Sequence, residues 1–317
     1  MREMREMAAD ASPFFISVVI VNYNGAKCLE RCLQSLDAQT LRAFEILLVD
    51  NASTDDSCAF VEKNFPHVKL IRSETNVGFA AGNNLGIRAA RGNLIATLNT
   101  DTEIEIEYLE KLCAPMIDET VGACAPLMLE MERRNVVDAA GIVVDAFGYA
   151  WNIGAGDEAT FVANTRQVFG ACAGAALYRK KMLDEIGLFD DDFFAFYEDA
   201  DLAWRAHDAG WKTIFVSDAR VYHTHGASFG KISPRKTYLL ARNRWWTTFK
   251  NFPIPRFYFA LPILFLLDAI SLPQAATRGH LQQAWQGRVD AWRGVKKMWI
   301  RRRTTKDERR RMKKVSS

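Results

Sequence analysis

The chain has 317 residues, 49% apolar and 25% charged, an ordinary globular composition with room for one large domain or two small ones. Net charge is +3 but unevenly placed: residues 278–317 hold 14 Lys and Arg against 3 Asp and Glu, leaving 27 basic against 35 acidic groups in the body. An acidic body with a basic tail suggests a tail that meets an anionic surface, with nucleic acid and the cytoplasmic leaflet as the two candidates. Cys28, Cys32, Cys58, Cys113, Cys124 and Cys172 form no CxxC, and residues 1–13 are charged and lack the apolar core of a signal peptide. The thiols are therefore expected to be reduced and packed, in a cytoplasmic compartment.

In chain order, ISVVIVN (Ile16–Asn22) is a β-branched run with no polar alternation, as expected of a strand buried on both faces. Helical spacing follows over residues 25–38, then a second apolar strand ending in Asp50. NASTDDS is expected to start a helix running to Phe65, with Ser53 or Thr54 as its N-cap. A short strand over residues 67–72, a small-residue helix over 78–91 and a strand over 93–98 complete a βαβα pattern, which predicts a parallel sheet. In such a sheet ligands bind off the carboxyl ends of the strands. The polar clusters Asn22-Tyr23-Asn24, Asp50-Asn51, residues 73–76 and Asn99-Thr100-Asp101 all fall there.

Further strands are expected over residues 121–129, 136–144 and 168–178, the last thinned by Gly and Ala. FDDDFFAFYEDADLAWRAHDAG reads as an acidic-aromatic loop entering a helix, with residues 190–192 solvated, and WKTIFVSDARVYH gives one or two more strands. From Ser233 the pattern is helical. FYFALPILFLLDAISL has 16 residues, is interrupted by Pro262 and Asp268, and is short for a membrane span, so an interfacial helical hairpin or a buried partner surface is expected. Trp285, Trp292 and Trp299 recur every seven residues among Arg and Lys, a membrane-surface pattern, against the alternative of a helix packed on the domain.

Six stretches, VVIVNYNG, LLVDNASTD, NVGFAAGNN, ATLNTD, FAFYEDADLAWRAHDAG and VYHTHGAS, occur in one order. Together they resemble the family 2 glycosyltransferases of the GT-A fold, and most of all the rhamnosyltransferase-type enzymes of bacterial surface polysaccharide assembly. The resemblance covers residues 16–250. It implies an α/β fold with a mixed, mainly parallel sheet flanked by helices, and a C-terminal helical extension that associates with membrane. The expected division is a tail over 1–13, a catalytic domain over 14–250 (a nucleotide half to 102, an acceptor half from 103), and a C-terminal apolar and basic region over 251–317.

The resemblance also implies roles. Asp50 would accept hydrogen bonds from the base or ribose of a nucleotide-sugar donor, unless it only caps its turn. Asn22, Tyr23, Asn24 and Asn51 would flank that donor, and Asn76 with the GFAAGNN stretch, Gly78 and Asn83 within it, would bring backbone amides to the ribose. Asp101 stands at the family's metal motif, where Mg²⁺ or Mn²⁺ would bridge the diphosphate through hard oxygen ligands. Here Asn99 occupies the first acidic position and adds no charge, so His223, or else His225, is expected to complete the site. Asp199, with Glu198 as runner-up, would be the base that takes the acceptor hydroxyl's proton in an inverting transfer. Asp201 is assigned to structure or the acceptor pocket, and Arg244 to the donor diphosphate or to anionic lipid.

The expected enzyme is therefore a metal-dependent inverting glycosyltransferase, peripheral on the inner face of the plasma membrane. Its favoured donor is dTDP-L-rhamnose, and its acceptor a polyprenyl-diphosphate-linked saccharide. No nucleic acid is expected, and an oligomer is left open. The rivals are a nucleotidyltransferase, which leaves YEDADLAWR without a task, and an inactive sugar-nucleotide-binding or membrane scaffold protein, which Asn99 favours.

Overall fold

The apolar runs supply the centre of one ten-stranded sheet, because strands without polar alternation can be covered on both faces. The computed structural model describes residues 13–162, 164–224 and 233–302. The first half runs β1 (Ile16–Asn22), α1 (Ala26–Asp37), β2 (Phe44–Asp50), α2 (Ser57–Asn64), β3 (Lys69–Arg72), α3 (Gly78–Ala89) and β4 (Leu94–Asn99). These four strands are parallel, in the order β4-β1-β2-β3. Their register aligns Asn22 with Asp50 and Val21 with Asn99, so the polar strand ends share one edge. The apolar stripe of α1 (Leu29, Cys32, Leu33, Leu36) is buried on one face of this sheet, and α3 covers the other.

The second half continues the same sheet. It holds β5 (Thr102–Ile104), α4 (Tyr108–Cys113), β6 (Val121–Glu130), β7 (Val137–Ala139), β8 (Ile142–Val144), β9 (Ala150–Asn152), β10 (Arg166–Val168), β11 (Ala175–Arg179), α5 (Lys180–Ile186), α6 (Glu198–Ala209) and β12 (Lys212–His223). The path extends β4-β11-β6-β12-β10, with β11 antiparallel to both neighbours, β5 on β12 and β7 on β6. Two expected strands break. Residues 136–144 divide into β7 and β8 at Gly141, whose φ is +90°. Residues 169–174 leave the sheet as a loop between β10 and β11. The helix expected to begin at Ser53 or Thr54 instead begins at Ser57, because the Ser53 hydroxyl is taken by Asn22 and Asn24.

Three C-terminal helices, α7 (Pro234–Asn251), α8 (Ile254–Thr277) and α9 (Leu281–Arg293), pack beside α6, with further helix over residues 295–302. Ser233 caps α7, its hydroxyl accepting from the Lys236 amide, with Pro234 in the first turn. The apolar segment is one helix of 24 residues, not a hairpin: it continues through Pro262 and Pro273. Among the described residues it is the one helix long and apolar enough to cross a membrane, by length and composition. Only one face packs inward, through Phe257, Ala260, Leu264 and Asp268, while Tyr258, Phe259, Leu266 and Ile270 are exposed. Of the tryptophan series, Trp292 stacks on Phe265 and tilts against Trp245, and Trp299 meets Phe257 edge-on, so these two pack on the protein; Trp285 is exposed.

Candidate active site

The site lies where the aligned strand ends meet the loops from the second half. Asn22 is fully buried. Its amide donates to the Ser53 and Ser57 hydroxyls, at 3.0 and 2.8 Å, and its Oδ1 is buried without a hydrogen-bond partner. Asn24, at φ +54°, accepts from the Thr54 amide, so Asn22 and Asn24 tie the β1 end to the β2 end and leave Tyr23 exposed between them. Asp50 caps the turn after β2 by accepting from the Ser53 amide, at 3.2 Å. Burial pushes the neighbouring Cys58 thiol up to about 11, and the Asp50 carboxylate adds to the effect. Asn51 bonds Asn76 and the Gly78 carbonyl and accepts from the Val77 amide, which fixes the start of α3.

The glycine-rich stretch has a packing task that the sequence did not reveal. A Cβ on Gly78 would stand 2.6 Å from the Phe194 carbonyl oxygen, and its φ of +89° also selects glycine. On Gly82 and Gly86 a Cβ would meet Val21 and Val19, so α3 lies tight against β1. Asn83 is buried and donates back to the Phe79 carbonyl within its own helix. Gly78 and Asn83 thus seat α3.

At the other side of the edge, sheet register assembles a charged group from three distant segments. β12 pairs with β5 so that His223 faces Thr102, one residue after Asp101. β7 pairs with β6, the other neighbour of β12, and brings Asp138 alongside. His223 Nε2 lies 3.3 Å from Asp101 Oδ1, and Nδ1 lies 2.6 Å from Asp138 Oδ2. Burial alone would lower the imidazole's pKa, but the two carboxylates outweigh it and raise it to about 10. The Asn99 amide stands 3.4 Å from His223 Nε2. His225 lies outside the described residues. Among the described residues no three His, Cys, Asp or Glu converge as a full metal shell. Asp138 escaped sequence reading because a lone Asp in a three-residue strand carries no motif.

The acidic helix start faces the same space. Phe194, Phe196 and Tyr197 have φ of +65°, +67° and +70°, an uncommon run for bulky residues, and strain of this kind clusters at functional sites. The loop is pinned from α7: Asn243, fully buried, donates to the carbonyls of Phe193, Ala195 and Phe196, and Arg242 to those of Asp192 and Phe193. Asp199 is fixed by the Ala173 and Ala200 amides, at 3.3 and 2.7 Å, which is the task of the loop that left the sheet. Burial raises the Asp199 carboxyl above its ordinary range. Burial and the Asp199 charge raise Glu198 further, and one Glu198 oxygen has no hydrogen-bond partner.

Asp201 turns away. Burial would push its carboxyl up, but Lys250 and Arg205 together hold it well below the ordinary range. Lys250 also bonds Asp190, at 2.7 Å, so the expected solvated loop is an anchor: Asp190 is buried, and Asp192 pairs with Lys297. Arg244 is held within the C-terminal helices. It pairs with Asp268 on α8, and Trp245 and Arg288 share that carboxylate.

Asn99, Asp138, His223, Glu198 and Asp199 line one cavity of about 620 Å³, with Trp151 and Lys236 on its walls, within the usual range of a ligand pocket. The chain and its fold have counterparts among known proteins. The model of glycosyl transferase family 2 matches residues 17–187, more than half of the chain. The chain belongs to this family. This glycosyltransferase is 25% identical, over 267 residues, to N-acetylglucosaminyl-diphospho-decaprenol L-rhamnosyltransferase of Mycobacterium tuberculosis, covering 73% of the chain and 86% of the relative. Its fold matches a Pyrobaculum calidifontis mannosyltransferase solved with GDP-Man and Mn²⁺, at TM-score 0.56 and 17% identity over 97% of the chain and 92% of that protein. It also matches S. aureus TarS 1–349 solved with UDP-GlcNAc, at TM-score 0.55 and 19% identity over 88% of the chain and 92% of that protein. The glycosyltransferase thus has the GT-A fold with C-terminal helices added.

Proposed function

We propose that this glycosyltransferase moves a sugar, with inversion, from a nucleotide donor to a hydroxyl of a polyprenyl-diphosphate-linked saccharide. The observation that carries the reading is the single cavity with a held carboxylate, Asp199, on one wall and the Asp101–His223 pair behind the other. Asp199 accepts the acceptor hydroxyl's proton as that oxygen attacks the anomeric carbon from the face opposite the leaving diphosphate. Its two amide partners orient it, and its raised pKa makes it a stronger base than an exposed Asp. The Asp199 charge in turn raises the neighbouring Glu198 carboxyl. Lys236 on the cavity wall adds positive charge where the diphosphate departs. Asp50 and Asn51, at the polar strand edge, receive the nucleoside.

The residues present fit a divalent cation, Mg²⁺ or Mn²⁺, which Asp101 and His223 would hold once the cation displaced the His223 Nε2 proton. Asp101 and His223 offer an oxygen and a nitrogen 3.3 Å apart, and Asp138 holds the far imidazole nitrogen in the carboxylate–histidine arrangement common at metal sites. Such a cation supplies charge to the departing diphosphate. The favoured donor is dTDP-L-rhamnose, supported by the mycobacterial relative's name. The exposed face of α8 supports a peripheral position on the inner leaflet. Asn99 in place of a carboxylate favours a second reading, a sugar-nucleotide-binding protein without turnover.

The test incubates the protein with Mn²⁺ or Mg²⁺, a panel of nucleotide sugars and a polyprenyl-diphosphate-linked saccharide. Acceptor-dependent release of nucleoside diphosphate supports transfer. Tight binding of a donor with no release for any sugar supports the second reading.

A further inference from the structure

A second cavity, of about 310 Å³, opens beside the first between β9, α7, α8 and α9. Ala150, Trp151, Tyr197 and Leu240 line both cavities, so the two share a wall. Arg244, Arg278 and Arg288 line the second one against a single carboxylate, Asp268, a surplus of positive charge. Arg244 is 3% exposed, and its Nη1 has no hydrogen-bond partner, although its Nη2 is held by Asp268. A buried guanidinium nitrogen without an acceptor is costly unless an anion completes it. Arg288 is spent on Asp268, Ser271 and the Ala284 carbonyl, so it contributes charge, while Arg278 is exposed at the end of α8.

We infer that this cavity takes the phosphate of the acceptor's phosphate-linked lipid, with the acceptor sugar on Trp151 and the lipid tail along the exposed face of α8. The inference rests on the transfer reading above. Three features lie on the side of the protein next to the first cavity. Tyr149 and Trp151 stack with centroids 5.8 Å apart, and Trp151, 56% exposed, presents an aromatic face at the junction of the cavities. Next comes the arginine cavity, which suits phosphate oxygens. Last is the apolar face of α8, the helix that also carries Asp268, Ser271 and Gln274 of the cavity wall. A saccharide, a phosphate and an apolar chain, joined in that order, match the sequence of surfaces. The donor diphosphate does not fit here, since none of the strand-end residues Asp50, Asn51, Asn99 or Asp101 lines this cavity.

The probe is farnesyl diphosphate, titrated into the full chain by calorimetry with saturating dTDP or UDP present, with farnesol as the phosphate-free control. Wild type binds farnesyl diphosphate beside the nucleotide. Arg244→Gln weakens it roughly ten- to a hundredfold, the worth of a hydrogen bond to a charged group. Arg278→Ala, at the exposed mouth and without buried partners to disturb, weakens it several-fold. Neither changes farnesol binding. Unchanged nucleotide affinity certifies that each variant is folded; Arg244→Gln breaks the buried pair with Asp268 and lowers Tm, and if it loses nucleotide binding the result is read from Arg278→Ala, which breaks no such pair. Competition by either nucleotide would move the phosphate to the donor site and overturn the inference, as would variants that bind farnesyl diphosphate like wild type. A parallel titration with phosphatidylglycerol vesicles separates the sources of phosphate. Vesicle binding that falls in both variants while farnesyl diphosphate binding holds would assign the arginines to lipid headgroups and overturn it too. Absence of turnover for every donor and acceptor overturns the transfer reading instead, and is read from the wild type alone.

Discussion

Glu198 and Asp199 stand adjacent at the start of α6, and their titration sets two expectations. A base must be ionised to act, and burial raises the Asp199 pKa, so the acid limb of the kcat/KM profile should lie above the ordinary Asp range of about 4. Glu198 is raised further than Asp199 and is therefore neutral while Asp199 titrates, so Glu198→Gln should leave that limb nearly in place. The same variant reports on stability. Glu198 is raised in the fold, so its contribution is fully present below the unfolded pKa and is lost as pH rises through the folded one. The Tm gain of Glu198→Gln over wild type should therefore be near zero below about pH 4 and grow toward neutrality. A gain that is flat with pH would contradict the assignment. Asp138 acts through His223, so Asp138→Asn should weaken Mn²⁺ binding by about 10- to 100-fold, while Asp138→Glu restores part of it. Equal Mn²⁺ affinity in wild type and Asp138→Asn, followed by electron paramagnetic resonance, would remove Asp138 from that role.

Among the elements, α7 decides whether the catalytic loop keeps its shape. One Asn243 amide meets three carbonyls of the loop that holds the run of left-handed residues before Glu198. Asn243→Ala should cost about 1–3 kcal/mol for the carbonyls left unpaired, and lower kcat more than nucleotide affinity. Thermal melts and steady-state kinetics check both, and a variant with wild-type kcat would show that the loop holds itself. The sheet was legible from sequence because Val18–Val21 and Ile46–Val49 are apolar and without polar alternation, and the polar residues that follow mark the ligand edge. Asp101 and His223 were legible through the resemblance, and the sheet register explains their meeting. Asn243, Asp138 and the Arg244–Asp268 pair were not, since each depends on contacts between segments 24 to 85 residues apart that no local pattern encodes. The apolar segment was misjudged because Pro262 was read as a break; the buried side of α8 keeps its packing through both prolines.

At the scale of the whole molecule, the C-terminal helices are part of the folded body. Trp245 and Phe249 of α7 are fully buried against Phe257, Phe265 and Trp292, so removing residues 257–317 would expose a core and not merely detach an anchor. A cleaner test of membrane contact alters the outer face alone. Phe259, 84% exposed, with Leu266 and Ile270, offers apolar area that substitution can remove without touching the packed side. Replacing all three by Ser should abolish co-sedimentation with phosphatidylglycerol vesicles while leaving Tm nearly unchanged; persistent binding would place the contact elsewhere.

The most direct measurement of the central claim is acceptor-dependent nucleoside diphosphate release by wild type and Asp199→Asn, side by side, at saturating donor. The account predicts a fall of about 10²- to 10⁴-fold in kcat, with nucleotide affinity unchanged. Release by Asp199→Asn within a few-fold of wild type would contradict it.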